Sequence, residues 1–276
     1  MIKIGTSGYS YDDWKGPVYP DKANKSEFLS LYARLFSTVE INSTYYRIPS
    51  PFMFQRLLEK VPPEFDFVVK LSKEFTHERE GFPQAVRPFN EGIKPLVQAG
   101  KLGCLLAQFP YSFHLTDENL EHLEQVREAI DPAIPINIEF RCDDWIKEEV
   151  FAFLKERGLG FVCVDMPRLE RLIPPIVRAT TAIGYIRFHG RLKPTWWEHK
   201  EPAMRYDYLY SEEELKEWVP KIRELESQTS VTYLFMNNHP GGKSVKNARQ
   251  LSLLLGLPVP PHPLGKEEER EQTLFD

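Results

Sequence analysis

The sequence predicts one (β/α)8 barrel of the TIM type, with irregular helices after its sixth and seventh strands. Three observations carry that reading. Eight short apolar runs recur along the 276 residues, helical patterns separate most of them, and most runs carry a charged, amide or histidine residue within their last three positions. Strands alternating with helices imply a parallel sheet, and the C-terminal rim of a closed barrel is where its chemistry is done. Such a barrel needs about 250 residues. One domain over 1–258 therefore accounts for nearly all of the chain, and 259–276 is expected to be an exposed, disordered tail.

The runs are IKIGTSG (2–8), TVEIN (38–42), DFVVKLS (66–72), GCLLAQF (103–109), PINIEFR (135–141), GFVCVDM (160–166), GYIRFHG (184–190) and VTYLFMNN (231–238). After the first, residues 26–36 place Leu29, Tyr32, Ala33 and Phe36 on one helical face. Ser50-Pro51 is an N-cap followed by proline at the first helical position. Further helical patterns cover 84–100, 117–130 and 145–157. Pro174 and Pro175 predict a short or broken helix within 167–182. Ser211 and Glu214 form a capping box for a helix reaching 227, which Pro220 kinks or divides. Ser244 is expected to cap the last helix, which ends near Gly256. Residues 190–210 lack periodicity, and a long loop of this kind in a compact domain often serves as a lid or binding loop.

Composition limits the partners. The formal charge of −5 provides no global attraction for nucleic acid or an anionic membrane. The N-terminus enters a strand directly, and no apolar segment approaches the roughly 20 residues of a membrane span. Cys104, Cys142 and Cys163 are odd in number and far apart, as reduced thiols in cytoplasm would be. A cytoplasmic location is the expectation.

Strand side chains alternate between two faces. Glu139 and Arg141 then oppose Ile138 and Phe140, Arg187 and His189 oppose Ile186 and Phe188, Asp165 opposes Val164, and Glu40 and Asn42 oppose Val39 and Ile41. With the apolar set under the helices, the polar set points into the barrel mouth, joined by Lys70 and Gln108. The interior then holds Glu40, Glu139 and Asp165 against Lys70, Arg141 and Arg187, with His189. Buried charges persist when paired, so an ion-pair network is one outcome. The internal cations would compete with a divalent metal, and no His-Glu-x-x-His or cysteine pair at ligand spacing occurs. No metal and no cofactor are expected.

The residues Gly5-Thr6-Ser7-Gly8-Tyr9 with Trp14, then Tyr32, Phe36, Val39-Glu40-Ile41-Asn42, Tyr45-Tyr46, Pro49 and Thr76-His77, form a recurring set. So do Gln108-Phe109-Pro110, Glu139-Phe140-Arg141 with Trp145, Arg187-Phe188-His189-Gly190-Arg191, and Phe235 with Asn237-Asn238-His239. Together they resemble the uncharacterised family catalogued as domain of unknown function 72, over most of residues 1–256. The resemblance implies a TIM-like barrel and no particular activity. Tyr9 stands where the family usually has Trp. Met236 separates Phe235 from Asn237, which leaves open whether Asn237 or Asn238 faces inward.

Candidate chemistry follows from the rim. Glu139 with His189 can divide acid and base roles, with Glu40, Asp165 and Lys70 beside them. The loop Asn238-His239-Pro240-Gly241-Gly242-Lys243-Ser244 opens into a helix, where exposed N–H groups favour an anion. Arg187, Arg191 and Lys243 with the backbone at 241–244 are the expected anion pocket. Ser7, Tyr9, Trp14, Asn42, Tyr46, His77, Gln108, Arg141, Trp145, Tyr208, Asn237 and Asn238 complete the ligand-binding candidates, the aromatic ones as stacking surfaces. The leading expectation is an acid/base hydrolase or lyase acting on a small phosphate-bearing molecule or nucleotide. A nucleic-acid phosphodiesterase, a glycosidase built on Glu40 and Glu139, and a non-catalytic binding barrel are the alternatives. Glu271-Gln272-Thr273-Leu274-Phe275 resembles a bacterial sliding-clamp peptide, which makes Leu274 and Phe275 a weak partner contact.

Overall fold

The computed structural model describes residues 1–261 and Leu264. The sliding-clamp candidates Leu274 and Phe275, and most of the expected tail, lie outside the described residues. All eight apolar runs become parallel strands: β1 (Ile2–Thr6), β2 (Thr38–Ile41), β3 (Asp66–Lys70), β4 (Leu102–Gln108), β5 (Ile136–Glu139), β6 (Leu159–Asp165), β7 (Ile183–Phe188) and β8 (Val231–Met236). From β2 to β8 each strand pairs with its sequence neighbour, and β1 pairs with β8. Helices α1 (Phe28–Tyr32), α2 (Ser43–Tyr46) and α3 (Pro51–Leu58) flank β2; α4 (Lys73–Thr76) and α5 (Phe82–Gln98) follow β3. Then come α6 (Asp117–Glu128), α7 (Glu148–Glu156), α8 (Glu212–Lys216), α9 (Val219–Ser227) and α10 (Lys243–Leu254). The protein is a TIM-like barrel. None of the described helices is long and apolar enough to cross a membrane.

The seam between β1 and β2 is a single bridge, Ser7 to Glu40, with the Gly8 amide donating to the Glu40 carbonyl at 2.8 Å. The Tyr32 hydroxyl supplements it. It accepts from the Thr6 amide at 2.9 Å and donates to the Thr38 carbonyl at 3.1 Å, so one buried phenol links the two strands. Gly5 leaves room for that approach, because a Cβ there would stand 2.5 Å from the Thr38 carbonyl oxygen.

Several local expectations change. The first helix is a 3-10 turn (Lys25–Glu27) followed by the short α1, and Trp145 lies in a 3-10 turn ahead of α7. Residues 167–182 contain no helix, as two prolines lacking amide donors would dictate. Ser50 caps α3 through Met53, and Ser211 and Glu214 form the reciprocal capping box of α8. Pro220 does divide the pattern, since it sits in the first turn of α9. Ser244 does not cap α10. The N-cap is Gly242 at φ +75°, and the Ser244 hydroxyl is buried with no hydrogen-bond partner among the described residues.

Register decides which side chains enter the barrel. Val164 lies beside Arg187, and Asp165 beside Phe188. Arg187 points inward, so Val164 does too, and Asp165 points outward into the helical layer.

Candidate functional site

The ends of β2, β5 and β7 bring Glu40, Glu139 and Arg187 together on the barrel axis, all buried. Arg187 forks between the two acids. Nε and Nη2 donate to Glu40 at 2.9 and 2.6 Å, and Nη1 donates to Glu139 Oε2 at 2.6 Å. Glu40 also accepts from the Tyr185 hydroxyl and from Asn42 Nδ2 at 2.9 Å. Ser7 Oγ lies 3.4 Å from Arg187 Nη2. The other oxygen of Glu139 meets Arg141 Nε at 2.8 Å and His189 Nε2 at 3.1 Å. Asn237 Nδ2 donates to His189 Nδ1 at 2.9 Å, which assigns the proton to Nε2 and makes the ring a donor to Glu139.

These contacts set the protonation states. Burial alone would raise both carboxyls, but Arg187 outweighs it at Glu40 and holds that group below the usual range. Arg187, Arg141 and His189 do the same more strongly at Glu139. Burial, with Arg141 beside it, drives His189 down to about 3, so the ring is neutral near pH 7. Glu139 and His189 therefore hold each other in place, and both nitrogens of His189 are occupied. Neither carboxyl is raised, as the acid of a glycosidase pair must be. The space a cation would take between Glu40 and Glu139 is filled by a guanidinium.

Above this floor opens a cleft of about 750 Å³. Of the expected residues, Tyr9, Asn42, Tyr46, Lys70, His77, Gln108, Arg141, Arg187 and Asn237 line it. Lys70, at the end of β3, is partly buried. Its amine donates to Gln108 Oε1 at 2.8 Å and lies 4.3 Å from the Tyr45 ring centre. Among the described residues no carboxylate bonds it. Burial and the nearby Arg187 lower Lys70 to about 7, against the opposing pull of Glu139 and Glu40. His77 is lowered to about 4 by burial and by the positive Lys70 and Arg141. Among the described lining residues there is no Asp or Glu, whereas Lys70, Arg141, Arg187 and Arg205 are all present.

The remaining candidates lie elsewhere. Asp165 faces the helices, where it accepts from Arg191, Tyr210 and Trp218. Arg191 reaches Asp165 at 2.7 Å and Glu217 at 2.8 Å. Lys243 pairs with Asp207 at 2.5 Å, and the Gly241 amide donates to Asp13 at 2.7 Å. The anion pocket expected from Arg187, Arg191, Lys243 and the backbone at 241–244 is thus not assembled, because acids of the chain itself occupy each part. Trp14 donates to the His239 carbonyl and Trp145 to the Phe113 carbonyl, and both indoles are buried. Asn238 donates to Tyr208 O and Asn247 Oδ1, so Asn237 is the inward residue of the pair. Tyr208 bonds Glu214 outside the cleft.

Two contributors were missed. Tyr185 shares the inward face of β7 with Arg187, so the same alternation, carried two residues back, finds it. Arg205 lies in a 3-10 turn (Pro202–Tyr206) of the long seventh loop, where no periodicity marks it. With Trp196 and Tyr206 from that loop it roofs the cleft. A separate cluster, His114, Cys142 and Asp144, places three potential metal-ligand atoms within 4.8 Å of one another, though Asp144 also pairs with Arg171 at 3.1 Å. All three cysteines are free and buried.

The profile of the family described as protein of unknown function DUF72 matches residues 3–272. The chain belongs to the DUF72 family. UPF0759 protein YunF of Bacillus subtilis (strain 168) is 29% identical over 273 residues, covering 93% of this chain and 95% of that protein. A DUF72 protein of Thermotoga maritima MSB8 superposes with a TM-score of 0.85 at 41% identity, covering 93% of this chain and 99% of the other. One from Enterococcus faecalis V583 gives 0.83 at 26%, over 94% and 96%. SacUVDE gives 0.52 at 9% identity, over 93% and 98%, a likeness of fold alone.

Proposed function

We propose that this DUF72 barrel is an enzyme that binds a small anionic molecule with a flat or ring-shaped body in the cleft over Arg187. The charge balance of the site carries the reading. Two buried carboxylates, Glu40 and Glu139, are matched by two guanidiniums, Arg187 and Arg141. Lys70 and Arg205 remain as lining cations, and the described residues give neither an acidic partner. A protein of net charge −5 that keeps acids out of one cleft is suited to an anion there. Tyr9, Tyr45, Tyr46, Trp196 and Tyr206 offer ring faces for the rest of the ligand. Lys70 is the group able to move a proton near neutrality, whereas Glu139 and His189 orient Arg187 and Arg141 beneath it.

Thermal-shift titration of inorganic phosphate, a nucleoside monophosphate and a sugar phosphate tests the reading. At least one organic phosphate should raise the melting temperature, and Arg205→Ala should weaken it about tenfold, the worth of one charge-assisted contact. Equal affinity in Arg205→Ala, or no shift with any of these anions, would overturn it.

A further inference from the structure

Lys60, Lys101 and Lys221 donate to backbone carbonyls away from the cleft, and Lys70 is the lysine among the described lining residues. Lys3, Lys25, Lys73, Lys94, Lys147, Lys216 and Lys243 each meet a carboxylate. Lys70 meets a neutral amide oxygen and the face of Tyr45. Gln108 is itself fixed, donating through Nε2 to the Phe109 carbonyl at 2.7 Å, so its oxygen is aimed at the amine. The groups that face Lys70 across the mouth are Arg187 and Arg141, with Glu139 and Glu40 already engaged by them. His77 lines the same wall and is neutral. An amine that lines the cleft with no carboxylate partner among the described residues can act as a nucleophile in its neutral form.

We infer that Lys70 is the nucleophile of a Schiff-base reaction, and that the ligand of this cleft is a small aldehyde or ketone carrying a phosphate or carboxylate. This rests on the anionic cleft just proposed. The Lys70 Nζ lone pair attacks the carbonyl carbon, a C–N bond forms, and the carbonyl π electrons pass to oxygen. That oxygen takes a proton from Nζ to give the carbinolamine. It then takes a second proton from solvent and leaves as water while the C=N bond forms, and the nitrogen returns its remaining proton to solvent. Amine and carbonyl thus become imine and one water, with no oxidant or reductant. Arg205 and Arg141, both against the Trp196 ring, are placed to hold the anionic end. The free amine that attack requires is available near neutrality, since burial and Arg187 lower Lys70 to about 7.

The full-length protein is incubated with dihydroxyacetone phosphate or pyruvate, reduced with borohydride, and mapped by peptide mass spectrometry. Reduction converts an imine to a stable secondary amine, so the adduct reports the attacking lysine. At pH 7 the neutral fraction of a group of pKa about 7 exceeds that of an ordinary lysine roughly a thousandfold. Lys70 should therefore label at least about tenfold faster than any exposed lysine, and its rate should rise through pH 7 and then level. Lys70→Arg should lose that adduct while surface labelling persists. In parallel, glycerol 3-phosphate and lactate, which carry the anion without the carbonyl, are titrated by thermal shift. Binding of these with no preferential adduct at Lys70 would overturn the Schiff base and leave the anionic cleft standing. Neither binding nor adduct would overturn both.

Discussion

Arg187 is the residue on which the buried acids depend. Its three donors satisfy Glu40 and Glu139 at 2.6–2.9 Å, and no other cation reaches Glu40 among the described contacts. Removing one partner of such a pair leaves an uncompensated buried charge, which costs about 3–5 kcal/mol. Arg187→Met should lose stability on that scale in urea unfolding. Adding Glu40→Gln should recover part of the loss, although Glu40→Gln alone destabilises the wild type. If the double variant is less stable than Arg187→Met, the Arg187–Glu40 pairing is not what stabilises the mouth. The residue types in this cluster were legible from the alternation of three strands. The fork itself was not, because Arg187 lies 147 residues from Glu40 and 48 from Glu139, beyond any local pattern.

At the scale of elements, α5 shows how packing can override helix propensity. Gly92 lies in its middle, where alanine would ordinarily gain about 1 kcal/mol. A Cβ at Gly92 would stand 2.2 Å from the Pro49 carbonyl oxygen, on the segment leading into α3. Rigid backbone cannot yield as a side chain can, so Gly92→Ala should destabilise by about 1–3 kcal/mol. A higher urea midpoint for this variant would show that the two segments separate freely. The elements most readable from sequence were those with local causes: all eight strands, the Ser50 cap, the Ser211 box and the break at Pro220. Asp165 was misplaced because its partners, Arg191 and Trp218, lie 26 and 53 residues away on the helical side. Arg191 and Lys243 were misplaced for the same kind of reason. A cationic side chain near a glycine turn looks free until Glu217 or Asp207 is brought beside it.

For the whole molecule, the inward histidines tie stability to pH. His189 is lowered to about 3, and His77 and His239 to about 4, in each case chiefly by burial. Unfolded, each would take a proton near pH 6.5. Between 6.5 and these lowered values the unfolded chain binds more protons than the native barrel, so stability rises with pH across that window. It is fully present above 6.5 and is lost as acid is added. His189, fully buried, contributes up to about 1.4 kcal/mol per pH unit. His77 and His239 are partly exposed and contribute less. Glu40 and Glu139, also lowered, act in the same direction, but only below the ordinary carboxyl range. The fall between pH 6.5 and 5 is therefore due to the imidazoles. Urea midpoints at pH 7, 6 and 5 should decline steadily. His189→Gln keeps an amide donor for Glu139 but cannot titrate, and should flatten that decline by close to one proton. A wild-type midpoint unchanged down to pH 5 would mean that the mouth of the barrel admits a protonated His189, and that Glu139 is not saturated by its two guanidiniums.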